Sequence, residues 1–272
     1  MSRASSVSRI VGLRPRVIRS AAAAAAARML AQRSRLVVVG VFYLLVTFVL
    51  AGLWSAAAGA SGGTIVGYSA AALVWYAATS EAATIALPSR LIEHTGDDIG
   101  SGRVEVELLR PASMLAVRVA TEIGAMLPRL AVCAGLGLVF ATSLAGRPPS
   151  LTGLALAAPA LLLALTVNIV AQHAFAAAAF WVRDAKSTWF LYQKLVFVAG
   201  GMLMPLEVLP GWLLAVAKAL PFMAMAYAPA RLASGHVEPS LLLIQLAWLA
   251  VLWWAAAALF AAGERRLMKA GA

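Results

Sequence analysis

The chain reads as an all-α integral membrane protein with six transmembrane helices. An N-terminal amphipathic cytoplasmic helix precedes them, and re-entrant or interfacial half-helices stand before the last span. Three observations predict this. Leu36 to Ser80, Pro148 to Val182 and Pro239 to Gly263 carry no charge, and each run holds a stretch of the about 20 apolar residues that cross a hydrocarbon core. Charged residues make up only 12% of the 272, about half the share of a soluble domain. The 22 lysines and arginines outnumber 11 acids and stand beside the apolar runs. That placement suits anionic lipid and orientation signalling better than nucleic acid.

Residues 1–35 read as a basic cytoplasmic arm. It holds eight arginines and the alanine run Ala21 to Ala27, too long and too polar for a secretory signal. Val17 to Leu36 has good helix formers and is expected to lie along the inner leaflet. Met1 to Arg16 reads equally as a disordered basic tail.

Residues 36–262 form the transmembrane domain. The expected spans run near Leu36–Trp54, Ile65–Leu87, Val119–Leu144, Leu154–Trp181, Trp189–Met204 and Leu241–Ala262. Small residues from Ala56 to Gly63 turn the chain after the first. Residues 88–118 are too polar for lipid and form a loop. Gly146 to Pro149 and Arg183 to Lys186 make short turns. In 205–235, prolines bracket a helix too short to cross, and such backbone survives at membrane depth only where protein or water satisfies it. Residues 263–272 are a cytoplasmic tail. With the N-terminus inside, eighteen cations fall on the inner side and three on the outer, a strong positive-inside bias. Both termini are then cytoplasmic.

No catalytic set emerges. His94, His173 and His236 stand apart, with no close metal pair, no nucleophile elbow and no phosphate-binding glycine loop. Cys133 reads as a packed thiol. No catalytic residue, metal site or cofactor is expected in this chain. Charges inside the membrane are costly and therefore informative. Glu81 falls in span two. Arg118, Glu122 and Arg129 share one face of span three. The four suggest a buried polar seam in which Glu81 meets Arg129, or else a local interfacial pair of Arg118 with Glu122.

Two stretches then carry a resemblance. Asp98-Ile99-Gly100-Ser101-Gly102-Arg103 runs on to Glu107-Leu108-Leu109-Arg110-Pro111, and Gly200-Gly201 runs on to Pro205, Pro210, Trp212 and Pro221. With the six spans, these resemble the permease subunits of ABC type 2 exporters over roughly Leu36 to Ala262. The resemblance implies a non-catalytic, membrane-spanning subunit of an ATP-powered exporter. It implies two copies of a separate ATP-binding subunit that hold ATP and Mg, and a second permease subunit, a related chain or another copy. By the same resemblance, Asp98, Gly100, Gly102, Arg103, Leu109, Arg110 and Pro111 contact the ATPase. Gly200, Gly201, Pro205, Pro210, Trp212 and Pro221 form an outer gate. The other reading is a secondary transporter or channel subunit driven by an ion gradient. The alanine- and arginine-rich composition suggests a high-GC bacterium, and so a bacterial inner membrane.

Overall fold

The computed structural model describes residues 15–88, 90–104, 113–146, 150–182 and 185–270, with backbone alone for 185–186 and 267–270. Ten α-helices make up the described part. They are α1 (Pro15–Ala31), α2 (Arg33–Ala60), α3 (Ala70–Ile85), α4 (Leu91–Gly100), α5 (Met114–Ala145), α6 (Leu151–Ala176), α7 (Ala185–Ala199), α8 (Gly211–Lys218), α9 (Tyr227–Ala233) and α10 (Ser240–Ala270). The one sheet among these residues is a hairpin of β1 (Thr64–Ile65) and β2 (Tyr68–Ser69). All-α membrane architecture is therefore what the chain adopts.

Helix starts follow local chemistry. The hydroxyls of Ser69, Ser113 and Ser150 accept from the amides of Ala72, Ala116 and Gly153, satisfying donors that a helix leaves free in its first turn. Gly146 in the left-handed conformation ends α5.

Among the described residues, four helices are long and apolar enough to cross a membrane: α2, α5, α6 with its 3-10 extension to Phe180, and α10 up to Arg266. At the places of the expected second and fifth spans stand α3, of 16 residues, and α7, of 15. At 1.5 Å per residue these are about 24 Å long, short of a full hydrocarbon core of about 30 Å. The shortening has local causes. The hairpin takes the first residues of the expected second span, turning through Val66 and Gly67, both at positive φ, the geometry of a tight two-residue hairpin turn. Gly200 and Gly201 stop α7 before Pro205.

α3 is the axis of the bundle. Leu73 to Ala83 are buried without a break, and α2, α5, α6 and α9 pack around them. One core cluster gathers Tyr68, Tyr76, Leu206, Phe222 and Leu232 at the hairpin end. A second gathers Leu91, Ile99, Leu115, Phe180 and Phe260 at the α4 end.

α1 packs against α5, with Ala25 and Met29 buried. The contact is very close: a Cβ on Gly124 would stand 2.1 Å from the Ala22 carbonyl oxygen. The alanine run is thus a smooth packing surface that lets two backbones meet. Gly124→Val should cost about 1–3 kcal/mol through overpacking and free α1. The checks are a lowered thermal midpoint in detergent and faster tryptic cleavage at Arg19 and Arg28. Unchanged cleavage would mean that α1 does not depend on this contact.

Candidate functional site

Two polar constellations stand at opposite ends of the bundle. At one end lies α4, whose apolar face, Leu91, Ile92 and Ile99, is buried against α6, α7 and the 3-10 turn Ala177–Phe180. Asp98 on its exposed side takes the Arg118 guanidinium from α5 at 2.9 Å and Arg103 at 3.2 Å. Arg118 also reaches the Thr95 hydroxyl at 3.4 Å. One carboxylate therefore clasps α4 to the start of α5. Gly100 closes α4, and Gly102 follows at positive φ. Leu109, Arg110 and Pro111 lie outside the described residues.

At the other end, Glu207 collects three donors. The Tyr68 hydroxyl is at 3.3 Å, Arg231 Nη1 is at 2.7 Å, and the Tyr227 hydroxyl donates to the same oxygen as Arg231. Arg231 further donates to the Tyr68 hydroxyl at 2.8 Å and, through Nη2, to Glu238 at 2.6 Å. The His236 ring stacks on Tyr68 at 4.3 Å between centroids and meets the Ser234 hydroxyl. This network joins the hairpin, the 3-10 turn Leu206–Val208, α9 and the strap before α10. Backbone contacts extend it. Tyr76 donates to the Gly201 carbonyl at 2.5 Å, and the Trp54 indole donates to that of Leu203 at 2.8 Å. Gly201 is required twice over: its φ is positive, and a Cβ would stand 2.8 Å from the Tyr76 hydroxyl.

Burial, and then the nearby Arg231 charge, push the His236 pKa down. The hydrogen bond from Arg231 holds the Glu238 carboxyl below its ordinary range. Both groups therefore favour the folded cap at neutral pH over acid.

The expected gate residues all fall in this neighbourhood. Gly200, Gly201 and Pro205 are buried, and Pro221 opens the 3-10 turn Pro221–Ala224. Pro210 caps α8, and Trp212, two residues on, is 72% exposed.

The expected meeting of Glu81 with Arg129 does not occur. Glu81 is 3% exposed and its Oε1 has no hydrogen-bond partner among the described residues. Arg129 instead donates to the Leu87 carbonyl at 3.2 Å, just past the end of α3. Arg118 has turned away to α4. The seam thus divides: Arg118 belongs to the α4 clasp, Arg129 to the foot of α3, and Glu122 lies between, acting electrostatically on both arginines.

Three features were not singled out from the sequence. The first is the Glu207 network, although opposite charges in an apolar stretch, Glu207 and Arg231, were the available signal. The second joins α6 to α7: Asn168 accepts from Gln172 at 2.8 Å and from the Tyr192 hydroxyl at 2.7 Å. The third is an apolar cleft of about 190 Å³ among α2, α3, α5, α6 and α9, lined by Tyr43, Trp75, Thr79, Leu138 and Leu161 among others. No group of three or more metal-ligating side chains occurs among the described residues.

A family model described as ABC-2 family transporter protein matches residues 36–271. No curated protein and no solved structure shows a match.

Arg231→Ala should lower stability by about 1–3 kcal/mol, because the half-buried Glu207 loses its charged partner. Glu238→Ala should cost less, since the Glu238 side chain is 45% exposed. Thermal unfolding of the two variants checks the order. As pH falls through the ordinary histidine range near about 6.5, the unfolded chain takes up a proton that folded His236 resists. Stability should therefore drop across that window, and His236→Asn should flatten the drop.

Proposed function

The chain belongs to the ABC-2 transporter family, and from that premise we propose that it is the membrane-spanning permease subunit of an ATP-powered exporter. It forms the substrate path and couples to separate ATP-binding subunits. Two such subunits bind ATP and Mg, and a second permease subunit, a related chain rather than a second copy, completes the pore. The setting is a bacterial inner membrane with both termini in the cytoplasm. The charge bias of eighteen cations against three supports that orientation.

The Asp98 clasp carries the reading. A loop that only joined two spans would not require α4 to bury one face against three elements and to bind α5 with a charged bridge. A push on α4 is delivered at once to α5, α6 and α7. Residues 88–118 are thus the coupling segment, with Asp98, Gly100, Gly102, Arg103, Leu109, Arg110 and Pro111 as the ATPase contact. Residues 205–235 are the outer half-helices. Gly200, Gly201, Pro205, Pro210, Trp212 and Pro221 frame their gate, and Glu207 with Arg231 keeps it shut. The apolar cleft favours an apolar or amphipathic cargo over a charged one.

One observation favours a second reading, transport driven by an ion gradient: Glu81 is a buried carboxylate whose Oε1 has no hydrogen-bond partner among the described residues. Reconstituted vesicles separate the two. An exporter transports with ATP and its ATPase after ionophores collapse every gradient; an ion-coupled carrier stops under ionophore and runs without ATP.

Arg110→Glu should reduce ATPase copurification about tenfold or more, as a buried charge contact at an interface would, while the chain stays in the membrane. Asp98→Asn should retain more ATPase than Arg110→Glu but weaken the link between hydrolysis and transport. Full ATPase recovery with Arg110→Glu would remove the loop from the interface.

A further inference from the structure

We propose that the foot of α2 and α5 binds the phosphate of an anionic inner-leaflet phospholipid, held by Arg35 and Arg129 with its acyl chains along α2. The assignment rests on the chain being embedded in a membrane. It does not depend on the ATPase.

Charge comes first. The chain has no acid before Glu81, yet it carries eight arginines by Arg35. Arg28, Arg33 and Arg35 gather at the α1–α2 elbow and are all exposed. Arg35 spends one donor on Gln32 at 3.2 Å and makes no ion pair among the described residues. Gly40 of α2 lies against Val132 and Leu136 of α5, and Tyr43 against Gly137, so the two helices run the same way and Arg35 and Arg129 lie at one level below those contacts.

Unmet hydrogen bonding comes second. A guanidinium has five N–H donors. Arg129 is 8% exposed, gives one donor to the Leu87 carbonyl, and its Nε–H has no partner among the described residues. The acid that acts on Arg129 is Glu122, and it is shared with Arg118 and His94. It forms no ion pair with Arg129 among the described residues. Two cations therefore stand at one level, neither in an ion pair with an acid among the described residues, one of them nine-tenths buried. Burial of that kind is costly unless an anion is supplied.

Depth and shape come third. Arg129 is fifteen residues into α5, but it reaches Leu87, just past the end of α3, and lies below the contact of Gly40 with Val132, as Arg35 does in the first turn of α2. The part of α5 before it runs beside α1 and α4, at the end where the cations lie. That is headgroup depth. Directly above Arg35, Val37, Val38, Val41, Phe42 and Leu45 are 56–66% exposed. A cationic pocket at the foot of a bare apolar helix face matches a molecule with an anionic head and hydrocarbon chains. A free phosphate would satisfy the head alone.

The test uses the full chain in phosphatidylcholine nanodiscs, with spin-labelled phosphatidylglycerol or phosphatidylcholine as probe. The spectrum gives the fraction of label slowed at the protein surface. Wild type should prefer the anionic probe. Arg35→Gln should cut that preference about fivefold, the weight of one cation near a lipid surface, and Arg129→Gln should do so where it folds. Arg265→Gln, an exposed cation at the same end, should leave the preference unchanged. Inorganic phosphate should displace the label only weakly. Equal affinity of wild type for both probes would overturn the proposal. So would an equal loss in Arg265→Gln, which marks diffuse charge, or full displacement by millimolar inorganic phosphate, which marks a free-anion site.

Discussion

Close approach of helix backbones across small side chains is the constraint on which the bundle depends. Lipid offers no hydrophobic drive between helices, so packing must come from contact. α3 supplies it with Ala77, Ala78, Ala82 and Ala83, all buried, and four helices close around it. This enclosure explains why α3 functions at 16 residues. A helix facing lipid must carry its backbone groups through the whole hydrocarbon layer. α3 faces protein, so its ends need only protein partners. Ser69 caps its start and Arg129 takes the Leu87 carbonyl just past its last turn.

The two ends of the bundle differ in how their charges are held. Glu207 is inside a shell of tyrosines and Arg231, with each oxygen accepting at least one donor. Such a network is costly to half-open, because each separated partner is left unpaired in a low-dielectric setting. The Asp98 clasp is looser. Arg103 is 68% exposed, and exposed pairs of this kind add little stability. The arrangement joins a firm cap to an adjustable foot. A partner that touched α4 would act where rearrangement costs least.

Much of this architecture was legible in the sequence. Charge-free runs marked α2, α6 and α10, because length and apolarity alone suffice to define a crossing. They marked the start of α3 poorly. Thr64 to Ser69 is apolar enough to continue a helix, and only the Gly67 turn sends it into a hairpin. The contact of α1 with α5 was not legible, because an alanine run carries no sign of which face it buries; Gly124, its partner, is about a hundred residues away. The pairing of charges was the least legible part. Periodicity put Arg118 and Arg129 on one face correctly. It could not reveal that the chain folds back so that Asp98 captures one and Leu87 the other. Tyr68 and Arg231 are 163 residues apart, and nothing local in either predicts the other.

α6 is the element that makes these separate features one mechanism. Near its start it packs on α9, which bears Arg231; toward its end it packs on α4, which bears Asp98. Between them, the Gln245 amide from α10 donates to the carbonyls of Ala160 on α6 and Ala224 in the cap, each at 2.9 Å. Asn168 then holds Tyr192 of α7. These side chains fix α6 against rotation about its own axis, because each bond is lost if the helix turns. On the coupling proposed above, a displacement at α4 would reach the cap as tilt or sliding of α6, and not as its rotation. The contacts such a motion would meet first are those around Leu232 and Phe222, in the cap that Glu207 and Arg231 hold together.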